Sequence, residues 1–215
     1  AVVCNSTRAP AGEVRVEVSN NAREYTTDGV SVRLATVRVV EVQPWSGPQR
    51  GATVVSVRGR GMLPGSLSCR FGEASPVAAW SGGLGRVRCV SAPSGVTGWV
   101  GVQLSSAYGV VSSGSSFYYH GEMVASSVTP PFGPERGGTR VTLLGVGFRD
   151  AYTLRCRFDN ASSAVLARYV DEAQLECVTP LHSIGAKALL LSMNAQQYVS
   201  TGDVRYTYQM AATVS

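Results

Sequence analysis

The sequence has almost no lysine: of its 19 basic side chains, only Lys187 is not arginine. Histidine is nearly as scarce, with His120 and His182 alone. No Cys-x-x-Cys occurs and the two histidines do not recur at matching positions, so nothing fits zinc-ligand spacing. No apolar run approaches the roughly 20 residues of a membrane-crossing helix; the greasiest stretch, Ala188 to Met193, has the length of a strand. No serine sits in a nucleophile elbow. The carboxylates Asp150, Asp159, Asp171 and Glu172 form no recurring calcium-ligand set. Gly59-x-Gly61 and Gly145-x-Gly147 lack the third glycine, the Lys-Ser/Thr and the helix of a phosphate loop, and read as strand bends. Catalysis, a cofactor and a resident metal therefore have no residues to carry them here.

Glycine and proline are plentiful, at 24 and 10 residues, and many of them recur in register. Pro44, Gly47, Pro48, Gly51 and Thr53 return as Pro130, Gly133, Pro134, Gly137 and Thr139, an offset of 86. Cys69-Arg-Phe71 returns as Cys156-Arg-Phe158, and Cys89-Val90 as Cys177-Val178. The predicted organisation is two complete units, 37–121 and 122–215, preceded by residues 1–36, which match only the second half of a unit. The chain is thus expected to start inside a repeat of a longer array. Units of this size bury a modest core, which disulfides commonly supplement.

The cysteines recur in pairs. Cys69 and Cys89 lie 20 apart, Cys156 and Cys177 lie 21 apart, and one of each pair opens a strand-like run that the other closes. Bridging each pair would stabilise the fold by roughly 3 kcal/mol through loop closure; buried free thiols are the alternative. Cys4 is unpaired in this sequence, its counterpart expected upstream. Disulfides imply an oxidising compartment, and two acceptor sequons, Asn5-Ser6-Thr7 and Asn160-Ala161-Ser162, agree with it.

The net charge of +5 is uneven. Residues 1–36 carry four Arg and four acids, and residues 121–215 carry eight basic and eight acidic groups. Residues 37–120 carry seven Arg against Glu41 and Glu73, so the whole excess lies in the middle unit. A solvated face is the plainer reading. The functional one is a surface for an acidic glycan or protein, with Arg58, Arg60, Arg86 and Arg88 as candidates.

The apolar pattern has period two rather than 3.6, and no amphipathic helix stands out. Val55/Val57 and Val141/Leu143 are predicted to point inward, and each unit ends on an aromatic strand, Phe117-Tyr118-Tyr119 or Tyr206-Thr-Tyr208. Seven or so short strands per unit predict an all-β, immunoglobulin-like sandwich. Trp80 and Tyr169 precede their second cysteines by eight or nine residues and are expected to pack on the disulfide or the sheet. Trp45 and Phe132 are expected at a joint between units, as is His120, with His182 in a loop.

Pro44-x-x-Gly47-Pro48-x-x-Gly51-x-Thr53, Cys69-Arg-Phe71-Gly72 and Cys89-Val-Ser-Ala-Pro93, repeated more fully from Pro130 to Tyr208, resemble the IPT/TIG domains of plexins and certain transcription factors. The resemblance implies E-set immunoglobulin-like sandwiches in tandem and no enzymatic activity. The cell-surface members carry paired cysteines and glycans, which favours an extracellular structural or adhesive fragment: a rod-like spacer, filament subunit or ectodomain contacting neighbouring domains of the same chain. A ligand- or glycan-binding receptor module is the alternative. The intracellular branch, which uses the fold for dimerisation and DNA contact, is disfavoured, and no nucleic-acid partner or membrane segment is expected. Short junctions at Ala35-Thr36 and Gly121-Glu122 predict a stiff array.

Overall fold

A computed structural model describes residues 12–34, 38–60, 62, 67–83, 85–106, 109–159 and 164–211. Cys4, Asn5, Asn160 and the Ala35-Thr36 junction lie outside the described residues. Every regular element within them is a strand. A short antiparallel pair, β1 (Gly12–Arg15) with β2 (Ser31–Leu34), comes first.

The next nine strands build one sandwich: β3 (Arg38–Gln43), β4 (Ser46–Pro48), β5 (Val54–Arg60), β6 (Leu67–Phe71), β7 (Val77–Ala78), β8 (Trp80–Ser81), β9 (Arg86–Val90), β10 (Gly98–Ser106) and β11 (Gly109–His120). One sheet runs β3-β5-β9-β8 and the other β4-β11-β10-β6-β7. A second sandwich follows with β12 (Val124–Thr129), β13 (Phe132–Pro134), β14 (Arg140–Val146), β15 (Arg155–Phe158), β16 (Val165–Asp171), β17 (Gln174–Val178), β18 (Gly185–Ser192) and β19 (Val199–Gln209). Its two layers are joined because β16 pairs with β15 at one end and with β17 at the other. The first sandwich splits that crossing strand into β7, which pairs with β6, and β8, which pairs with β9.

Each sandwich has its own core. Val55, Val57, Phe71, Leu104, Phe117 and Tyr119 fill the first, and Val141, Leu143, Phe158, Leu175, Tyr206 and Tyr208 fill the second. The inward valines and leucines follow the period of two, but β3 breaks it. A bulge between Val39 and Glu41 sends both Val39 and Val42 inward, where strict alternation from Val39 would bury Glu41. The same bulge lies between Ala125 and Ser127 on β12. Gly59 and Gly145 face these bulges; a Cβ on Gly145 would come within 2.1 Å of the Val124 carbonyl oxygen.

Disulfides link Cys69 to Cys89 and Cys156 to Cys177, with Cα atoms 6.3 and 6.4 Å apart. Each joins the two layers of its sandwich: β6 and β9 lie in different sheets, and β15 and β17 lie in the two halves that the crossing strand β16 connects. All four cysteines are buried. Gln43-Pro44 and Thr129-Pro130 are both cis, so this feature also recurs in register.

Candidate functional site

The arginines of the middle unit converge on one sheet face. On β5, Arg58 and Arg60 share the outward side because Val55 and Val57 take the inward one. Across the ladders Arg58 stands opposite Arg86, Ser56 opposite Arg88, and Arg60 opposite Arg38. The five guanidinium side chains Arg38, Arg58, Arg60, Arg86 and Arg88 are all exposed on the outer surface of β3-β5-β9. Sheet geometry sets their bases about 4.8 Å apart across strands and about 6.7 Å apart along them.

Glu41 is the carboxylate on this face, and it is spent on Arg58: its Oε2 accepts from Arg58 Nε at 2.7 Å. It also accepts from the Gln43 side chain. Among the described residues, Arg38, Arg60, Arg86 and Arg88 have no carboxylate within 4.0 Å. Arg38 and Arg60 flank a cleft of about 470 Å³ whose wall continues through Val39, Val40, Gly114 and Ser115. Trp80, opposite Arg88 on the edge strand β8, is 43% exposed.

The second sandwich is an internal control. By strand register, Arg38, Arg58, Arg60, Arg86 and Arg88 correspond to Val124, Leu144, Val146, Gln174 and Glu176. There Glu176 is shared by two arginines, accepting from Arg140 at 3.1 Å and Arg168 at 2.8 Å. Those two hydrogen bonds, the one from Arg168 first, hold the Glu176 carboxyl below its usual range. Register also corrects the expected match of Trp80 with Tyr169. Trp80 pairs with Arg88 as Arg168 pairs with Glu176, so the outward Trp80 corresponds to Arg168. Tyr169 lies one residue on and packs against the second core, whereas Trp80 does not pack inward.

A second built feature is the contact between the sandwiches. The turn joining β18 to β19 carries Asn194, Gln196 and Gln197 onto Ala52, Thr53 and Val54. Gln196 Oε1 accepts from the Val54 N–H at 2.9 Å, and its Nε2 donates to the Val54 carbonyl at 2.8 Å. Gln197 Nε2 donates to the Ala52 carbonyl at 2.6 Å, and its Oε1 accepts from Thr53 Oγ1 at 3.1 Å. Buried Asn194 donates to Thr53 Oγ1 at 3.2 Å, while its Oδ1 accepts from the backbone N–H groups of Gln196 and Gln197. Trp45 packs against the second core and stacks on Trp99 at 5.6 Å, and Arg149 lies 4.9 Å from the Tyr118 ring centroid. Phe132 is exposed, away from this contact.

His120 also lies at this junction. It is buried, and its Nδ1 is 2.8 Å from the Gly121 carbonyl, so that nitrogen carries the proton when the ring is neutral. Burial holds its pKa below the ordinary value, with Arg50 and Arg149 adding to the effect against the Gly121 hydrogen bond. His182 occupies a loop and stacks on Tyr208 at 5.1 Å.

Four of the five face arginines, Arg58, Arg60, Arg86 and Arg88, stand out in the sequence as a concentration of charge. Arg38 does not, and its signal is its outward place on a strand paired with Arg60. The Asn194-Ala-Gln-Gln197 segment gave only a polar interruption after an apolar strand. Nothing local in the sequence marks its partner, some 142 residues earlier. Among the described residues no group of three or more His, Cys, Asp or Glu gathers as a metal site.

Residues 123–208 match the IPT/TIG domain family. No curated protein matches the chain. Among solved structures the chain is similar to the plexin A4 extracellular region. A ten-domain form aligns with TM-score 0.61 at 16% identity, covering 90% of this chain and 17% of that one. An eight-domain form aligns with TM-score 0.55 at 16% identity, covering 89% and 20%. The chain therefore spans a fifth or less of the plexin A4 chains it matches. At this identity the likeness is one of fold: the chain is all-β and immunoglobulin-like, and its unit at residues 123–208 is an IPT/TIG domain.

Proposed function

We propose that the chain is a non-enzymatic segment of an extracellular or cell-surface protein. In it, IPT/TIG-type sandwiches are held in fixed relative position as a spacer or adhesive ectodomain for protein–protein contacts. The observation that carries this reading is the clasp of Asn194, Gln196 and Gln197 on Ala52, Thr53 and Val54. A flexible tether would leave these polar groups to water; here each has a partner on the other sandwich. The paired inter-layer disulfides support an oxidising compartment. The fold likeness to a plexin ectodomain supports the same setting. Within this reading residues 37–121 and 122–215 are the complete units, residues 1–36 belong to a further one, and neighbouring units of a longer chain are the first partners. Among the described residues no helix is long and apolar enough to cross a membrane.

Small-angle scattering tests the fixed joint. The wild type is expected to give one narrow distance distribution, and the Gln196→Ala, Gln197→Ala double variant a broader one. A broad wild-type distribution would sink the spacer reading. Mass spectrometry of the protein from its native cells tests the compartment. Intact Cys69–Cys89 and Cys156–Cys177 bonds are expected, with glycan at Asn5 or Asn160 as further support. Free thiols would favour the intracellular dimerisation and DNA-contact alternative.

A further inference from the structure

We infer that the outer face of β3-β5-β9 docks a linear sulfated polysaccharide, with sulfates along Arg86 and Arg88 and one seated at the β3 margin, in the cleft that Arg38 and Arg60 line together with Gly114 and Ser115 of β11. Three observations point there together. Four of the five guanidinium groups lack a carboxylate partner among the described residues, so their charge is available to a ligand. The cleft flanked by Arg38 and Arg60 has room for a tetrahedral anion and its sugar ring. The equivalent face of the second sandwich carries Val124, Leu144, Val146, Gln174 and Glu176 on the same backbone, so the fold itself does not require arginine at these positions.

The chemistry selects the partner. Guanidinium presents a planar fork of donors to an oxyanion, which a lysine ammonium does not. A two-dimensional lattice spaced at about 5 and 7 Å suits a chain bearing anionic groups on successive sugar rings. Trp80 at the edge offers a flat apolar surface to a pyranose ring. A protein partner would need an apolar, desolvated centre to its interface, and the middle of this face is arginine. The paired disulfides argue for a compartment where sulfated glycans, rather than nucleic acids, are the abundant polyanions. Arg58 serves a different purpose from its neighbours, since Glu41 holds it in place.

The test is binding of the whole chain to heparin, measured by titration calorimetry and by the salt needed for elution from a heparin column. Wild type is expected to bind, with affinity falling as salt rises. Arg38→Gln, Arg60→Gln, Arg86→Gln, Arg88→Gln together should weaken binding about ten-fold or more. A charge-matched control, Arg23→Gln, Arg33→Gln, Arg136→Gln, Arg205→Gln, should change it about two-fold at most. Arg38→Gln with Arg60→Gln empties the cleft alone and gives a milder variant, expected to lose part of the affinity. Equal losses in the face and control variants overturn the proposal, because net charge alone would then be responsible. So does binding of poly-L-glutamate or single-stranded DNA as tight as that of heparin, which would assign the face to an acidic protein or a nucleic acid. None of these substitutions touches the clasp, so a failure here leaves the spacer reading standing.

Discussion

The side-chain amide of Gln196 occupies both backbone groups of Val54, accepting from its N–H at 2.9 Å and donating to its carbonyl at 2.8 Å. Strand β5 lies between β3 and β9, but its pairing with β3 ends at Ser56, so this side chain from the other sandwich takes the place beyond the end of β3. Unpaired backbone groups are costly when buried and sticky when exposed, so the glutamine both satisfies the start of β5 and fixes the partner.

Gln196→Ala should expose the Val54 backbone. Each hydrogen bond contributes about 1 kcal/mol, so hydrogen exchange at the Val54 amide is expected to speed up by about ten-fold, while Val57, deeper in the strand, stays unchanged. Unaltered protection at Val54 in the variant would show that the clasp does not hold.

His120 predicts a pH dependence at the junction. Its folded pKa lies below the ordinary value of about 6.5, so the unfolded chain takes up the proton first. Stability from this group is then full above about pH 6.5 and is lost as pH falls below it. His120→Asn keeps a donor for the Gly121 carbonyl and does not titrate. Thermal unfolding between pH 7 and pH 5 should therefore fall less steeply in the variant, and parallel slopes would refute the assignment.

The aromatic strands offer a matched pair of tests. Tyr206, whose counterpart in the first sandwich is Phe117, has a buried hydroxyl with no partner among the described residues. Tyr206→Phe should leave stability unchanged or raise it by about 1 kcal/mol. Tyr119 instead donates to the Ala92 carbonyl at 2.6 Å, and burial pushes its pKa up to about 12. Tyr119→Phe should cost about 1 kcal/mol in denaturant unfolding. Equal effects would contradict the difference in hydrogen bonding.

Backbone conformation distinguishes the two turn segments. Gly137 has φ +74°, and a Cβ there would lie 2.5 Å from the Pro180 carbonyl carbon. Gly137→Ala should therefore destabilise by about 2 kcal/mol or more. Ala52 holds φ +65° where the second sandwich has Gly138 at +83°. Ala52→Gly relieves that strain against a looser unfolded chain, with a net change expected between zero and about 1 kcal/mol of added stability. A clear loss in calorimetry would count against strain at Ala52.

Much of this was legible in the chain. Val55, Val57, Val141 and Leu143 announced inward positions through period-two spacing, and their burial follows from it. The β3 bulge was not legible, because alternation from Val39 leads to Glu41, and only pairing with β5 moves Val42 inward. The match of Trp80 with Tyr169 failed for a simpler reason: the two stand at unequal distances from their cysteines, and the residue nine before Cys177, as Trp80 is nine before Cys89, is Arg168.

By itself the sequence determined the strands, the repeat and the concentration of arginine in one unit, because these depend on local side-chain pattern and composition. Only the tertiary structure decided which arginines stand together and what covers the Val54 backbone. Ladder register brings Arg38 beside Arg60, and a turn 142 residues away supplies Gln196. Both are consequences of long-range pairing, which no short window of sequence contains.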